Sequence, residues 1–235
     1  MSDSAQTTTD VGIVDGLFAI IRENGFRDPM LEAVRCASIS RAGVRRWVLQ
    51  ASLVVREFPR FISAIHANCP DRNAQRLLAE NLWEEHGRGV AERDHYELVR
   101  RLASSLGASD ADIDNVQPLP ETTAYIHHCL RVTRNCSFVE SMTAVGIGVE
   151  IFMPVFFGRM AEHLRSNYGL SHDDVQYLLV HVTEDEAHSR RALDLIEAHA
   201  NTSELREMAK QALRQMLGVK RRFAEAVFEH SLRAN

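Results

Sequence analysis

The chain has 235 residues, 45% hydrophobic and 25% charged, with a formal net charge of −5. That is enough apolar material for a large core, and it leaves no basic excess for DNA or RNA. Cys36, Cys69, Cys129 and Cys136 form no CxxC pair, which excludes a zinc ribbon or a disulfide scaffold; with no signal-peptide pattern and no run of about 18 apolar residues, a cytoplasmic protein without a membrane partner is expected.

Helical periodicity dominates and alternating patterns are scarce, so the expected fold is one all-α domain of about seven or eight helices over residues 11–235, behind a flexible polar tail over 1–10. In chain order the helices are expected at 11–24, 28–34, 39–68, 71–86 continuing after a break to 106, 110–115, 121–140 extending in bent form through 163, 172–199 and 202–231. Pro59 lies inside a helical run and predicts a kink rather than an end. Pro70-Asp71 opens the next helix, and residues 115–120 (NVQPLP) are the clearest loop. Gly169 would close one helix, while Ser171 with Asp174 three residues later resembles a cap for the next.

Three regions carry chemistry. In the first, residues 81–95, the glutamates Glu84 and Glu85 precede His95 within a helical pattern that Gly87 and Gly89 interrupt, which predicts a bulge, a kink or a close backbone approach. On an ideal helix Glu84 shares the face of His95 and Glu85 lies about 80° away, but a local irregularity shifts that phase; Glu92, one turn before His95, is a third candidate. In the second region Glu150 is the only charged residue between Ser141 and Gly158 (SMTAVGIGVEIFMPVFFG), so it is expected to be buried and either protonated or paired with a cation. Gly146 and Gly148 before it permit close helix approach, and Pro154 after it frees a carbonyl.

The third region is the most informative. His181, Asp185 and His188 stand at i, i+4 and i+7, within an arc of roughly 60°, on a stripe otherwise marked by Leu178, Ala192 and Leu195. Two imidazoles and a carboxylate buried on a core-facing stripe need partners, and a divalent cation is the simplest one.

Glu85-x9-His95, then Glu150, then His181-x3-Asp185-x2-His188 resembles the ligand set of the haem-oxygenase-like diiron oxidases and oxygenases, which share a helical fold with the TenA/THI-4 and PqqC proteins. The N-L-x-E-E-x-G stretch from Asn81 to Gly87 and Glu57-Phe58-Pro59 are also similar, and the resemblance covers residues 40–200. It favours Glu85, with Glu84 and Glu92 kept as alternatives. It implies a haem-oxygenase-like bundle holding two Fe(II) ions through Glu85, His95, Glu150, His181, Asp185 and His188, with O2 as co-substrate and Glu150 as the bridge. A small, amino-acid-derived substrate would undergo N-oxygenation or oxidative C–C cleavage, with an external electron donor and a homodimeric assembly as expected partners. Carboxylates and imidazoles suit Fe(II) or Mn(II), and no thiolate competes.

Phe152, Phe156, Phe157, Trp83 and Tyr177 are expected as core walls around such a site. Glu57 and His66 could face the same cavity, and Arg45, Arg131 and Arg134 could receive a substrate carboxylate. Two other readings compete: a metal-free enzyme, either a thiaminase-like TenA hydrolase with Cys136 as nucleophile beside Arg134 or a cofactorless PqqC-like oxidase, and a non-catalytic helical protein that binds a small molecule.

Overall fold

The computed structural model describes residues 12–25 and 27–234; the tail expected over 1–10 lies outside them. Eleven α-helices and no strand occur among the described residues: α1 Ile13–Asn24, α2 Pro29–Arg35, α3 Arg41–Asn68, α4 Arg72–Glu85, α5 His95–Ser105, α6 Asp110–Asp114, α7 Pro120–Asn135, α8 Phe138–Met142, α9 Met153–Tyr168, α10 Gln176–His199 and α11 Ser203–Leu232. The count exceeds seven or eight because two expected segments are broken. Two short 3-10 turns, Gly87–Gly89 and Ala91–Arg93, separate α4 from α5, and a π-helical turn, Thr143–Ile147, lies between α8 and α9.

Local chemistry explains most ends. Asp71, Asp94 and Thr202 accept backbone N–H bonds at the starts of α4, α5 and α11, and Ser137 with Glu140 forms a complete capping box on α8. Gly169 closes α9 in the left-handed conformation, φ 69°. Ser171 and Asp174 exchange the expected bonds, Ser171 N–H to Asp174 Oδ2 at 2.8 Å and Asp174 N–H to Ser171 Oγ at 3.2 Å, but α10 begins two residues after Asp174, at Gln176. Pro59 is accommodated within α3 without ending it.

The core falls into two apolar clusters. One joins Leu17 and Ile20 of α1, Phe61, Ile62 and Ile65 of α3, Cys129 and Val132 of α7, Ile196 of α10 and Leu213 and Met216 of α11. The other joins Met30 and Val34 of α2, Val44, Trp47 and Val48 of α3, Leu98 and Leu102 of α5, Met160 and Leu164 of α9, and Leu178 of α10. Burying each large apolar side chain contributes about 2 kcal/mol. Helix α10 threads both: Tyr177 and Leu178 belong to the second cluster, Ala192 and Ile196 to the first, and the polar stretch His181–His188 lies between.

Candidate metal centre

Helix α4 ends at Glu85, so Glu84 and Glu85 are both in its last turn and both buried. Beyond it Gly87, Arg88 and Gly89 are left-handed, with φ of 66°, 55° and 82°. A Cβ on Gly87 would lie 2.4 Å from the Asp94 amide nitrogen and 2.5 Å from the Arg93 carbonyl carbon, so glycine allows the link to fold back on itself. Asp94 then caps α5 and places His95 in its first turn.

Glu150 follows the π turn, in which Gly148 N–H donates to the Thr143 carbonyl five residues back, at 3.0 Å. Close packing brings this segment against its neighbours. A Cβ on Gly146 would lie 2.8 Å from Ala192 Cβ, and one on Gly148 would lie 2.6 Å from Met216 Cγ. The Glu150 carbonyl, which Pro154 cannot reach as a donor, accepts Met153 N–H at 2.8 Å. From α11, Lys220 Nζ donates to the Val149 carbonyl at 2.5 Å and to that of Gly148 at 3.4 Å.

All six residues singled out by the sequence are buried. Glu85, His95 and His181 each offer one donor atom within 4.8 Å of the others. Glu85, Glu150, His181 and Asp185 line one cavity with Asp28, Lys220 and an aromatic and aliphatic wall that includes Trp47, Phe58, Phe156, Phe157 and Tyr177. His188 Nδ1 stands 3.9 Å from Asp185 Oδ1.

Each histidine has one ring nitrogen near an oxygen outside the six-residue set, hydrogen-bonded for His181 and His188 and a longer ionic contact for His95. His181 Nδ1 bonds the Tyr177 carbonyl at 2.6 Å, His188 Nε2 bonds Glu84 Oε2 at 2.8 Å, and His95 Nε2 lies 3.3 Å from Glu184 Oε2. The opposite nitrogens of His95 and His188 are buried without a hydrogen-bond partner among the described residues. His95 Nδ1 is nevertheless only 2.8 Å from Glu85 Oε2, outside hydrogen-bond alignment. Imidazoles held from outside, with an unbonded nitrogen beside a carboxylate, fit a divalent cation.

The charges fit as well. Burial first, then repulsion from Asp185 and Glu85, pushes the Glu150 carboxyl far above the usual range; burial first, then Glu85, does the same to Asp185. Burial and the charge of His95 lower His181 to about 4, so it is a neutral donor at pH 7. Burial opposes charge on His95, but Glu85 and Glu184 outweigh it and raise the group to about 10. A cation here would relieve the crowded carboxylates and displace the His95 proton.

Several expectations need correction or relocation. Glu92 is exposed in the second 3-10 turn, and Trp83 is 55% exposed rather than part of the wall. Glu57, held by Arg56 and Arg60, does not line the cavity, and neither does His66. Arg45 bonds the Gly107 carbonyl, and the cavity lining includes none of Arg45, Arg131 and Arg134. Cys136 caps α7 away from the cavity, and burial raises its thiol pKa, with Glu140 adding to the shift, so Arg134 does not activate it. Cys136→Ala is therefore expected to leave iron content within about twofold of the wild-type value by elemental analysis, since a half-buried thiol acts as a small apolar group.

Four residues of the site lay outside the expected set: Glu184, Arg88, Asp28 and Lys220. Lys220, one of two lysines in the chain, interrupts the apolar stripe of Leu213, Met216, Leu217, Ala224 and Val227 on α11, and that interruption was its signal. Burial lowers its pKa to about 7 although Asp28 and the other acids pull it upward. Between about pH 7 and 10.5 the unfolded chain then binds more protons than the folded one, so this residue's contribution to stability improves as pH rises through that window. The urea midpoint of metal-free wild type relative to Lys220→Met is expected to rise from pH 7 to pH 10. A pH-independent difference would mean that Lys220 titrates normally.

A sequence profile of iron-containing redox enzymes matches residues 45–220. The chain belongs to this family. Within reach of these iron-containing redox enzymes, it is 26% identical over 203 residues to a 4-aminobenzoate synthase of Nitrosomonas europaea, covering 82% of this chain and 80% of that one. It is 22% identical over 219 residues to a 4-aminobenzoate synthase of Chlamydia muridarum, covering 92% and 91%. Among solved structures, a CADD-like protein of unknown function from Nostoc punctiforme superposes with a TM-score of 0.76 at 16% identity, covering 94% of this chain and 97% of that one. A TenA homologue from Pseudomonas syringae pv. tomato gives 0.75 at 17%, covering 92% and 91%. With a further neighbour from Shewanella denitrificans described as haem-oxygenase-like (TM-score 0.73, 13% identity, 93% and 89% coverage), these fix the fold as the haem-oxygenase-like bundle. No helix among the described residues is long and apolar enough to cross a membrane.

Proposed function

We propose that this chain uses two iron ions, held by Glu85, His95, Glu150, His181, Asp185 and His188, to activate dioxygen and oxidise a small amino-acid-derived substrate in a biosynthetic pathway. N-oxygenation and oxidative C–C cleavage are the reactions in view. The observation that carries the reading is the pair of buried nitrogens without a hydrogen-bond partner among the described residues, His95 Nδ1 and His188 Nδ1, each beside a buried carboxylate. Membership of an iron-containing redox family and relatives named for a biosynthetic reaction support it.

Iron held by these residues would supply electrons for the reduction of dioxygen, with an external donor restoring them. The protein supplies placement. Glu150 and Asp185, costly as lone buried anions, become favourable once cations sit beside them, and the three carboxylates of the set balance most of the charge of two divalent ions. His95 gives up its proton on loading. Trp47, Phe58, Phe156 and Phe157 exclude water and take the apolar part of a substrate, while Lys220 and Asp28 set opposite charges in the same cavity. The donors suit Mn(II) as well as Fe(II).

The test is anaerobic titration with ferrous iron followed by exposure to oxygen, with elemental analysis and visible absorption. Uptake of about two irons per chain and an oxygen-dependent transient band in the visible are expected. Failure to take up iron, or uptake with no response to oxygen, would refute the proposal.

A further inference from the structure

We propose that Arg88, a residue outside the ligand set, is the positioning residue that holds two histidines of the iron site in their binding orientation, acting through Glu84 and Glu184; the inference rests on the metal reading above. Arg88 Nη2 donates to Glu84 Oε1 at 2.7 Å and stands 3.6 Å from Glu184 Oε1. Each carboxylate places its other oxygen near an imidazole: Glu84 Oε2 hydrogen-bonds His188 Nε2 at 2.8 Å, and Glu184 Oε2 lies 3.3 Å from His95 Nε2, an electrostatic contact outside hydrogen-bond alignment. One guanidinium nitrogen therefore stands between the carboxylates beside two histidines from different helices, α5 and α10, by hydrogen bond on the Glu84 arm and by charge on the Glu184 arm.

The chemistry favours this role. An imidazole whose far N–H is held by a carboxylate keeps a fixed tautomer and presents its other nitrogen as a lone pair, and outer partners of this kind change metal affinity by about 10- to 100-fold. A carboxylate left alone beside His95 or His188 would also compete for the proton or swing to solvent. Arg88 restrains both groups with one charge. Glu84 and Glu184 expose 7% and 22% of their side chains, whereas Arg88 exposes 52%, so the clamp closes from the surface.

The backbone beneath Arg88 argues against a purely structural reason for its presence. It is a non-glycine residue at φ 55°, ψ 36°, flanked by two left-handed glycines. This conformation favours glycine, so glycine at position 88 would suit the turn better than arginine does. The guanidinium is thus held where the backbone disfavours it.

Co(II), whose visible spectrum reports imidazole and carboxylate coordination, is the probe. Arg88→Gly is expected to melt no lower than wild type in the metal-free state, because the turn is relieved, yet to bind Co(II) about 10- to 100-fold more weakly with an altered spectrum. Arg88→Gln should weaken binding similarly, and Arg88→Lys should restore part of it. Arg190→Gln, which removes an exposed charge paired only with Glu186 in the contacts seen, should match wild type and controls for net charge. Wild-type Co(II) affinity and spectrum in both Arg88→Gly and Arg88→Gln would overturn the clamp while leaving the metal site standing. If the wild-type protein takes up no Co(II), or His188→Ala takes it up unchanged, the metal reading fails and the clamp fails with it.

Discussion

Glu150→Gln is expected to reduce iron content from about two ions per chain to one or fewer, while leaving the metal-free protein as stable as wild type or more so. The two effects have opposite signs for one reason. Burial first, and then the nearby Asp185 and Glu85, push the Glu150 carboxyl well above the ordinary range, so in the absence of a cation its charge is a burden. Glutamine keeps the volume and removes that burden, but it also removes an anion of the proposed iron site. Binding at 100 times Kd stabilises a protein by about 2.7 kcal/mol, and the variant should lose most of that increment. Elemental analysis and urea unfolding with and without ferrous iron measure both. Full iron loading in Glu150→Gln would exclude Glu150 as a ligand, and a lower metal-free midpoint would mean that its carboxylate already has a compensating partner.

Gly87→Ala is expected to be the most damaging small substitution in the link between α4 and α5, costing about 3 kcal/mol or more. Two effects add. The residue sits at φ 66°, where a side chain is strained, and its new Cβ would meet backbone atoms of Arg93 and Asp94 at 2.4–2.5 Å. Flexible side chains could retreat from such a contact, but backbone cannot. Because the same link sets the distance from Glu85 to His95, metal affinity should fall together with stability. Chemical denaturation and Co(II) titration check the pair. Gly89→Ala provides the comparison, since there the same left-handed strain occurs with no atom nearer than Trp83 Nε1 at 3.9 Å, and a smaller loss is expected.

The helices were legible because apolar spacing and capping residues act locally. Asp71, Gly169 and the Ser171–Asp174 pair all make the bonds their positions imply. The breaks were less legible. Glycines at 87 and 89 announced an irregularity, but its angle depends on the close approach to Arg93 and Asp94, a contact that no local rule supplies. For that reason the phase between the glutamates and His95 stayed open without the family resemblance, and the structure places Glu85 beside His95 and Glu84 beside His188. Lys220 and Glu184 were readable in principle, one as a cation in an apolar stripe and the other within the same octapeptide as His181 and His188. Arg88 was not, because its partners lie on either side of a reversal of the chain.

The π-helical turn at Thr143–Ile147 has a consequence for how this stretch is matched between related chains. Such a turn holds one residue more than its α-helical counterpart. A chain lacking that residue would wind as an ordinary α-helix, and every following side chain, Glu150 among them, would rotate about 100° around the axis. Relatives that keep the acid at the equivalent place must therefore keep the inserted residue too, and aligning them without a gap here would match the wrong residue to Glu150.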